Sequence, residues 1–156
     1  MRKLLVGVVC AMALAAPSVA PAQQQEGWSY AYTAGVATAT QHDSRGRVAA
    51  TLTCRPPTGD IVLTDYTIAQ ARGARGLRGA TQAAVRIGAM SVNVPMTIEG
   101  RGRNRTVVIN LPQRPPILAA VQPNDRLSIT VNNQTVTYSD GGPSKMREVA
   151  YGCWGS

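Results

Sequence analysis

Short runs in which apolar residues alternate with polar or small ones, each closed off by glycine or proline, recur along most of this chain. Val48, Ala50, Leu52 and Cys54 alternate with Ala49, Thr51 and Thr53. Successive side chains of a strand point to opposite faces, so such a run has one core face and one outer face. The same period appears at Trp28, Tyr30 and Tyr32, and again at Val107, Ile109 and Leu111 in the run 105–111. Small β-branched residues at 36–40 form a further strand or continue the first past Gly35. Residues 61–64 form another, running towards Tyr66 and Ile68. Strands are also expected at 84–87, 92–94 and 96–98. Pro95 cannot donate to a ladder, which places its strand at an edge or a bulge.

The clearest hairpin lies near the C-terminus. Leu127–Val131 and residues 134–138 flank Asn132 and Asn133, two residues that tolerate positive φ. A two-residue loop pairs Ile129 with Val136 and Leu127 with Tyr138, all on one face, so turn and apolar pattern agree on register. Pro56 and Pro57 mark a second hairpin. Residues 69–80, rich in arginine and glycine, read as a long loop, and 117–121 as a short helical turn stopped by Pro123. After Gly141, Gly142 and Pro143, Ser144 can cap a helix whose Met146, Val149, Ala150 and Cys153 recur at i, i+3, i+4 and i+7. The expectation is a mainly β fold. It is an antiparallel β-sandwich or barrel of about eight short strands with a short C-terminal helix.

The first 22 residues set the compartment. Arg2 and Lys3 precede an apolar run from 4 to 16, and Ala20 and Ala22 supply the small residues of a cleavage site. Residues 1–22 are therefore read as a signal peptide, and 23–156 as a single β-rich domain in the periplasm or secreted, with no integral membrane span in the mature chain. Two cysteines remain there, Cys54 and Cys153, and an oxidising compartment favours their pairing. The helical stripe that carries Cys153 can bring it to the strand face that carries Cys54. The loop so closed is worth roughly 4.7 kcal/mol in chain-entropy terms, an upper figure in practice.

Composition narrows the chemistry. His42 is the only histidine, and it stands in a turn-like stretch beside Asp43. Neither a nucleophile elbow nor a metalloprotease signature occurs, and one histidine with two bonded cysteines cannot supply a zinc site. A non-enzyme without a metal or cofactor is the expectation. Beyond residue 22 the chain keeps 13 arginines and 1 lysine against 8 carboxylates, a net charge of +6. The arginines cluster as Arg72, Arg75 and Arg78, then as Arg101, Arg103 and Arg105, with glycines between them. Guanidinium groups grip phosphate and carboxylate in pairs, and glycines let backbone N–H groups approach. The same clusters also fit a solvated loop in a chain of arginine-rich composition. Nucleic acid is the less favoured anion, because its aromatic stacking partners are not near these arginines. Trp28, Tyr30, Tyr32, Tyr138, Tyr151 and Trp154 are read as the bulky part of the core, with a carbohydrate-stacking platform as the alternative.

The early Trp28, the strand ending in Leu52, Thr53 and Cys54, the stretch 111–131 and the terminal Cys153 together give the chain an outline. That outline resembles the small exported β-rich proteins of alphaproteobacteria of the invasion-associated locus B type. The resemblance implies an envelope protein with a sandwich-like fold and no catalytic residues to carry over. The functional expectation is an exported non-catalytic binding module of the cell envelope, recognising an anionic envelope component or a protein partner. The alternative is a periplasmic or secreted inhibitor of a hydrolase such as lysozyme or a protease, presenting Pro115 and Pro116 as a rigid loop.

Overall fold

The structure, a computed structural model, describes residues 26–54, 59, 61–70, 77–111, 122, 124–138 and 141–154. The signal-peptide reading, Arg72, Arg75, the helical turn at 117–121 and Pro115–Pro116 lie outside these residues. Among the described residues, nine strands form one antiparallel sheet: β1 (Gly27–Thr33), β2 (Val36–His42), β3 (Val48–Cys54), β4 (Ile61–Asp65), β5 (Gln82–Ile87), β6 (Met90–Glu99), β7 (Thr106–Leu111), β8 (Leu127–Val131) and β9 (Gln134–Thr137). Their order across the sheet is β1-β2-β3-β4-β7-β6-β5-β8-β9. The sheet curls into a half-barrel, and one C-terminal helix, α1 (Gly142–Trp154), docks against β1, β2 and β3.

Alternation fixes the faces as expected. Ala37, Ala39, Leu52, Cys54, Ile61, Leu63, Val85, Val107, Ile109, Leu127 and Ile129 are buried in one core. Of the two readings of 36–40, the further strand is the one found: positive φ at Ala34 (50°) and Gly35 (78°) turns the chain, and β1 and β2 pair along their whole length. The strand inventory differs in two places. The runs at 92–94 and 96–98 are a single strand. Its first half pairs with β5 as far as Gln82↔Pro95, and its second half pairs with β7 from Met96↔Ile109. The Met96 N–H donates towards β5, to Thr81 O at 2.9 Å, so position 95 faces the β7 side. A proline has no donor to offer there, and β7 pairing stops at that point. Finally, β4 ends at Asp65 rather than running on to Tyr66 and Ile68, because the Asp65 carboxylate turns the chain.

The last hairpin has the register its sequence dictates, with Ile129↔Val136 and Val131↔Gln134, and Asn132 takes φ 52°. Helix α1 buries Met146, Val149, Ala150 and Cys153 on the sheet. It begins at Gly142, two residues before Ser144. Ser144 therefore lies within the first turn, and its hydroxyl donates to Gly141 O at 3.0 Å instead of accepting as a cap. Glycines on the helix let it approach the sheet. An added Cβ on Gly152 lies 2.8 Å from the Ala37 Cβ, and one on Gly142 lies 2.6 Å from the Trp28 Nε1. Cys54 and Cys153 are bonded, with a Cα–Cα distance of 5.4 Å and a sequence separation of 99. Beside the disulfide, at the last residue of the helix, the Trp154 indole N–H donates to Gly59 O at 3.2 Å. No helix among the described residues is long and apolar enough to cross a membrane.

The two outermost strands meet through aromatic rings. Tyr138 directly follows β9, and Trp28 lies on β1. Their rings touch edge to face, with centroids 5.8 Å apart at 80°. Both side chains belong to the core, so they do not form a stacking platform for a ligand. Tyr32 and Tyr151 are the exposed members of the aromatic set.

Candidate functional site: the basic end of the half-barrel

Strand register decides which loops share an end of the sheet. Gly27 pairs with His42, His42 with Val48, Ala50 with Asp65, Asp65 with Val107, and Glu99 with Thr106. The β2–β3 turn, the segment after β4 and the β6–β7 turn therefore emerge together. The segment before β5 joins them, because Thr81 bonds to Met96 beside the last residues of β6. Arg45 and Arg47 sit in the first of these connections, Arg78 precedes β5, and Arg101, Arg103 and Arg105 occupy the β6–β7 turn. That turn contains a 3-10 segment, Gly102–Asn104. Gly100 allows it with φ 78°, where an added Cβ lies against the Asn104 carbonyl oxygen. Arg45, Arg47, Arg78, Arg101 and Arg103 are exposed, and Arg105 is half-buried.

The sequence singled out Arg78, Arg101, Arg103 and Arg105, and the topology brings these four to one end. Arg45 and Arg47 join them there. They were not legible as partners because their separation from the other arginines in the chain hides their common position. Acidic groups at this end are mostly committed. Asp65 is buried, and Asp43 is bound by Arg47. Among the described residues, Arg45, Arg78, Arg101, Arg103 and Arg105 stand there against Glu26 and Glu99.

Two aspartates shape the surface at this end. Asp43 Oδ1 accepts the backbone N–H groups of Arg45 and Arg47, each at 2.9 Å. Its Oδ2 takes a forked pair from the Arg47 guanidinium, Nε at 2.9 Å and Nη2 at 2.7 Å. The Arg47 backbone and guanidinium hydrogen bonds hold the Asp43 carboxyl below the usual aspartate value. Since that carboxylate is taken by Arg47, it does not orient His42. Asp65 performs the same service one strand over. Its Oδ1 accepts Thr67 N at 3.0 Å and Ile68 N at 2.6 Å, and its Oδ2 accepts the hydroxyl of Thr67 at 2.9 Å and that of Tyr138. Burial, followed by the Asp65 charge, pushes the Tyr138 phenol well above 10.

Between the two aspartate-held turns lies a groove of about 430 Å³ lined by Asp43, Arg47, Val48, Tyr66, Thr67 and Gln70. In the sequence Asp43 stands out only as the neighbour of His42, and Val48 and Tyr66 only as strand residues; nothing there brings these six together. The one available signal was the paired spacing of Asp43 with Arg47 and of Asp65 with Thr67 in turn-forming stretches. Among the described residues, no three His, Cys, Asp or Glu side chains gather as a metal-ligand set.

Fold and site together define a curled antiparallel half-barrel with a disulfide-tied helix on its wall and an arginine-bearing end. No family model matches the chain, and neither a curated protein nor a solved structure matches it.

Proposed function

We propose that the chain is an exported, non-catalytic binding module of the cell envelope that recognises an anionic envelope component through its basic end. The observation that carries this reading is the convergence of Arg45, Arg78, Arg101, Arg103 and Arg105 on one end of the sheet, with Asp43 and Asp65 internally engaged. Like charges gathered on one face create a field that attracts an opposite polymer and fades with ionic strength. Export is supported by the leader-like first 22 residues and by the Cys54–Cys153 bond, which belongs in an oxidising compartment. The resemblance to the invasion-associated locus B type of envelope protein points the same way. The non-catalytic part rests on a chain with a single histidine whose neighbouring carboxylate is held by an arginine.

The test is retention on immobilised heparin and on lipopolysaccharide across a salt series. Wild-type protein elutes at a salt concentration that the triple variant Arg78→Ala, Arg101→Ala, Arg103→Ala fails to reach. Binding that ignores salt, or that survives all three substitutions unchanged, rejects the reading.

A further inference from the structure

We infer that the groove between the β2–β3 turn and the segment after β4 is a saccharide subsite. The anionic component is then an acidic polysaccharide, with its sugar hydroxyls in the groove and its carboxylates on the arginine rim. This rests on the reading of the basic end given above and adds the ligand's chemistry to it.

The argument starts from charge. Groove and rim differ in kind. The groove holds one carboxylate and one guanidinium, Asp43 and Arg47, already joined by two hydrogen bonds, so its charges balance. A phosphate or a nucleic-acid backbone gains little from such a surface and is opposed by Asp43. A sugar hydroxyl is both donor and acceptor, and it suits a site offering both. The Asp43 lone pairs are used by Arg45 and Arg47, while Arg47 retains guanidinium N–H groups beyond the two that Asp43 takes. Gln70 is exposed and carries an amide with both functions. The Thr67 hydroxyl donates to Asp65, which leaves its lone pairs for a ligand. Tyr66 and Val48 add the apolar surface that the C–H face of a sugar ring covers. The volume falls within the ~300–1,000 Å³ of small-molecule sites.

Rigidity points the same way. Asp43 fixes one wall through two backbone N–H groups, and Asp65 fixes the other through two more. The Tyr66 N–H donates to Ala49 O at 3.0 Å, and its hydroxyl lies 3.4 Å from the Thr51 hydroxyl, so the ring is tied to the sheet at both ends. Polar groups held in place by supporting hydrogen bonds are what a weak, hydroxyl-reading site needs. Around this neutral groove, the rim arginines provide the attraction for uronate carboxylates, which guanidinium groups engage in pairs.

The experiment is calorimetric titration of the full chain with a hexameric oligogalacturonate, its methyl ester and a single-stranded DNA hexamer, at low and moderate salt. Three results are expected. The oligogalacturonate binds more tightly than the DNA, and the neutral methyl ester retains weak, salt-independent binding. Gln70→Ala and Tyr66→Ala each weaken both saccharides fivefold or more without changing DNA binding. Arg101→Ala with Arg103→Ala weakens both anions and spares the methyl ester. Gln70 is exposed, so its variant folds even if Tyr66→Ala does not, which a melting curve checks. Equal binding of DNA and oligogalacturonate, unmoved by Gln70→Ala, overturns the saccharide subsite and leaves the basic end intact. Absence of binding to all three ligands at low salt overturns both.

Discussion

The hydroxyl of Tyr138 donates to the buried carboxylate of Asp65 across 73 residues of sequence. This bond joins the residue that ends the last hairpin to the residue that turns the chain after β4. Tyr138 also meets Trp28 of β1 edge to face, so one side chain links the first strand, a central strand and the last. Replacing it tests the link. In Tyr138→Phe the ring contact survives while Asp65 loses one donor in a fully buried place. The expected cost is about 1–3 kcal/mol, read as a lower denaturant midpoint with an unchanged slope. A change within error would mean that water or another donor replaces the phenol.

The same residue sets an alkaline limit. Its pKa is raised in the folded state, first by burial and then by the Asp65 charge. A group of this kind contributes stability that is fully present below its unfolded value, near 10, and lost as pH climbs beyond it. Chemical denaturation at stepped pH is therefore expected to show flat stability up to about pH 10 and a decline above it. That decline disappears in Tyr138→Phe. An identical alkaline decline in the variant would assign the effect to other groups.

The Cys54–Cys153 bond ties α1 to β3 and closes a loop of 99 residues. In the chain-entropy account, loops of this length gain the most from closure, and measured values are commonly 2–4 kcal/mol. Free-thiol titration of denatured, unreduced protein lacking the first 22 residues is expected to find none. Reductant, or Cys54→Ala with Cys153→Ala, should lower the melting temperature. Two titratable thiols, or a melting curve indifferent to reductant, would contradict the bond.

Period-2 runs told most of this fold in advance, because a strand with one buried face writes its geometry directly into residue order. The register of Ile129 with Val136 was legible from a two-residue loop, and the Cys153 stripe from helical spacing. Asp65 was not legible. A carboxylate in an otherwise apolar strand reads as an exposed residue until its donors are known, and one of them, Tyr138, arrives from the far end of the chain. The inner position of β6, between β7 and β5 rather than at the edge that Pro95 suggests, was hidden for a related reason. A proline is tolerated there only because the strand exchanges partners at that position, and partners are a property of the sheet. The basic end was half legible: the arginine clusters stood out, but their convergence, and the addition of Arg45 and Arg47, required the strand order.

Gly142 shows packing overriding local propensity. Alanine is the better helix former by about 1 kcal/mol in a helix interior, and Gly142 opens α1. Its Cβ would lie 2.6 Å from Trp28 Nε1 and 3.0 Å from Trp28 Cδ1. Trp28 cannot withdraw without loosening its contact with Tyr138. Overpacking of this kind costs about 1–3 kcal/mol, so the net effect of Gly142→Ala is expected to be a lower melting temperature with altered tryptophan fluorescence. A higher melting temperature would mean that Trp28 has room to move.

Arg101 and Arg103 project from the β6–β7 turn, and both are exposed. Their removal should leave the fold untouched, because exposed substitutions away from packing seldom exceed about 0.5 kcal/mol. Their effect should appear in the salt dependence of polyanion binding. Each arginine that neutralises a charge on the polymer releases a counterion, so each substitution is expected to reduce the slope of log affinity against log salt by about one. Arg86 supplies the control. It lies outside the loops of the basic end, and its Nε already donates to Gly88 O at 2.9 Å. Arg86→Ala should leave the slope where it is. Equal slopes for Arg86→Ala, Arg101→Ala and Arg103→Ala would show that the polymer responds to overall charge rather than to one end of the half-barrel.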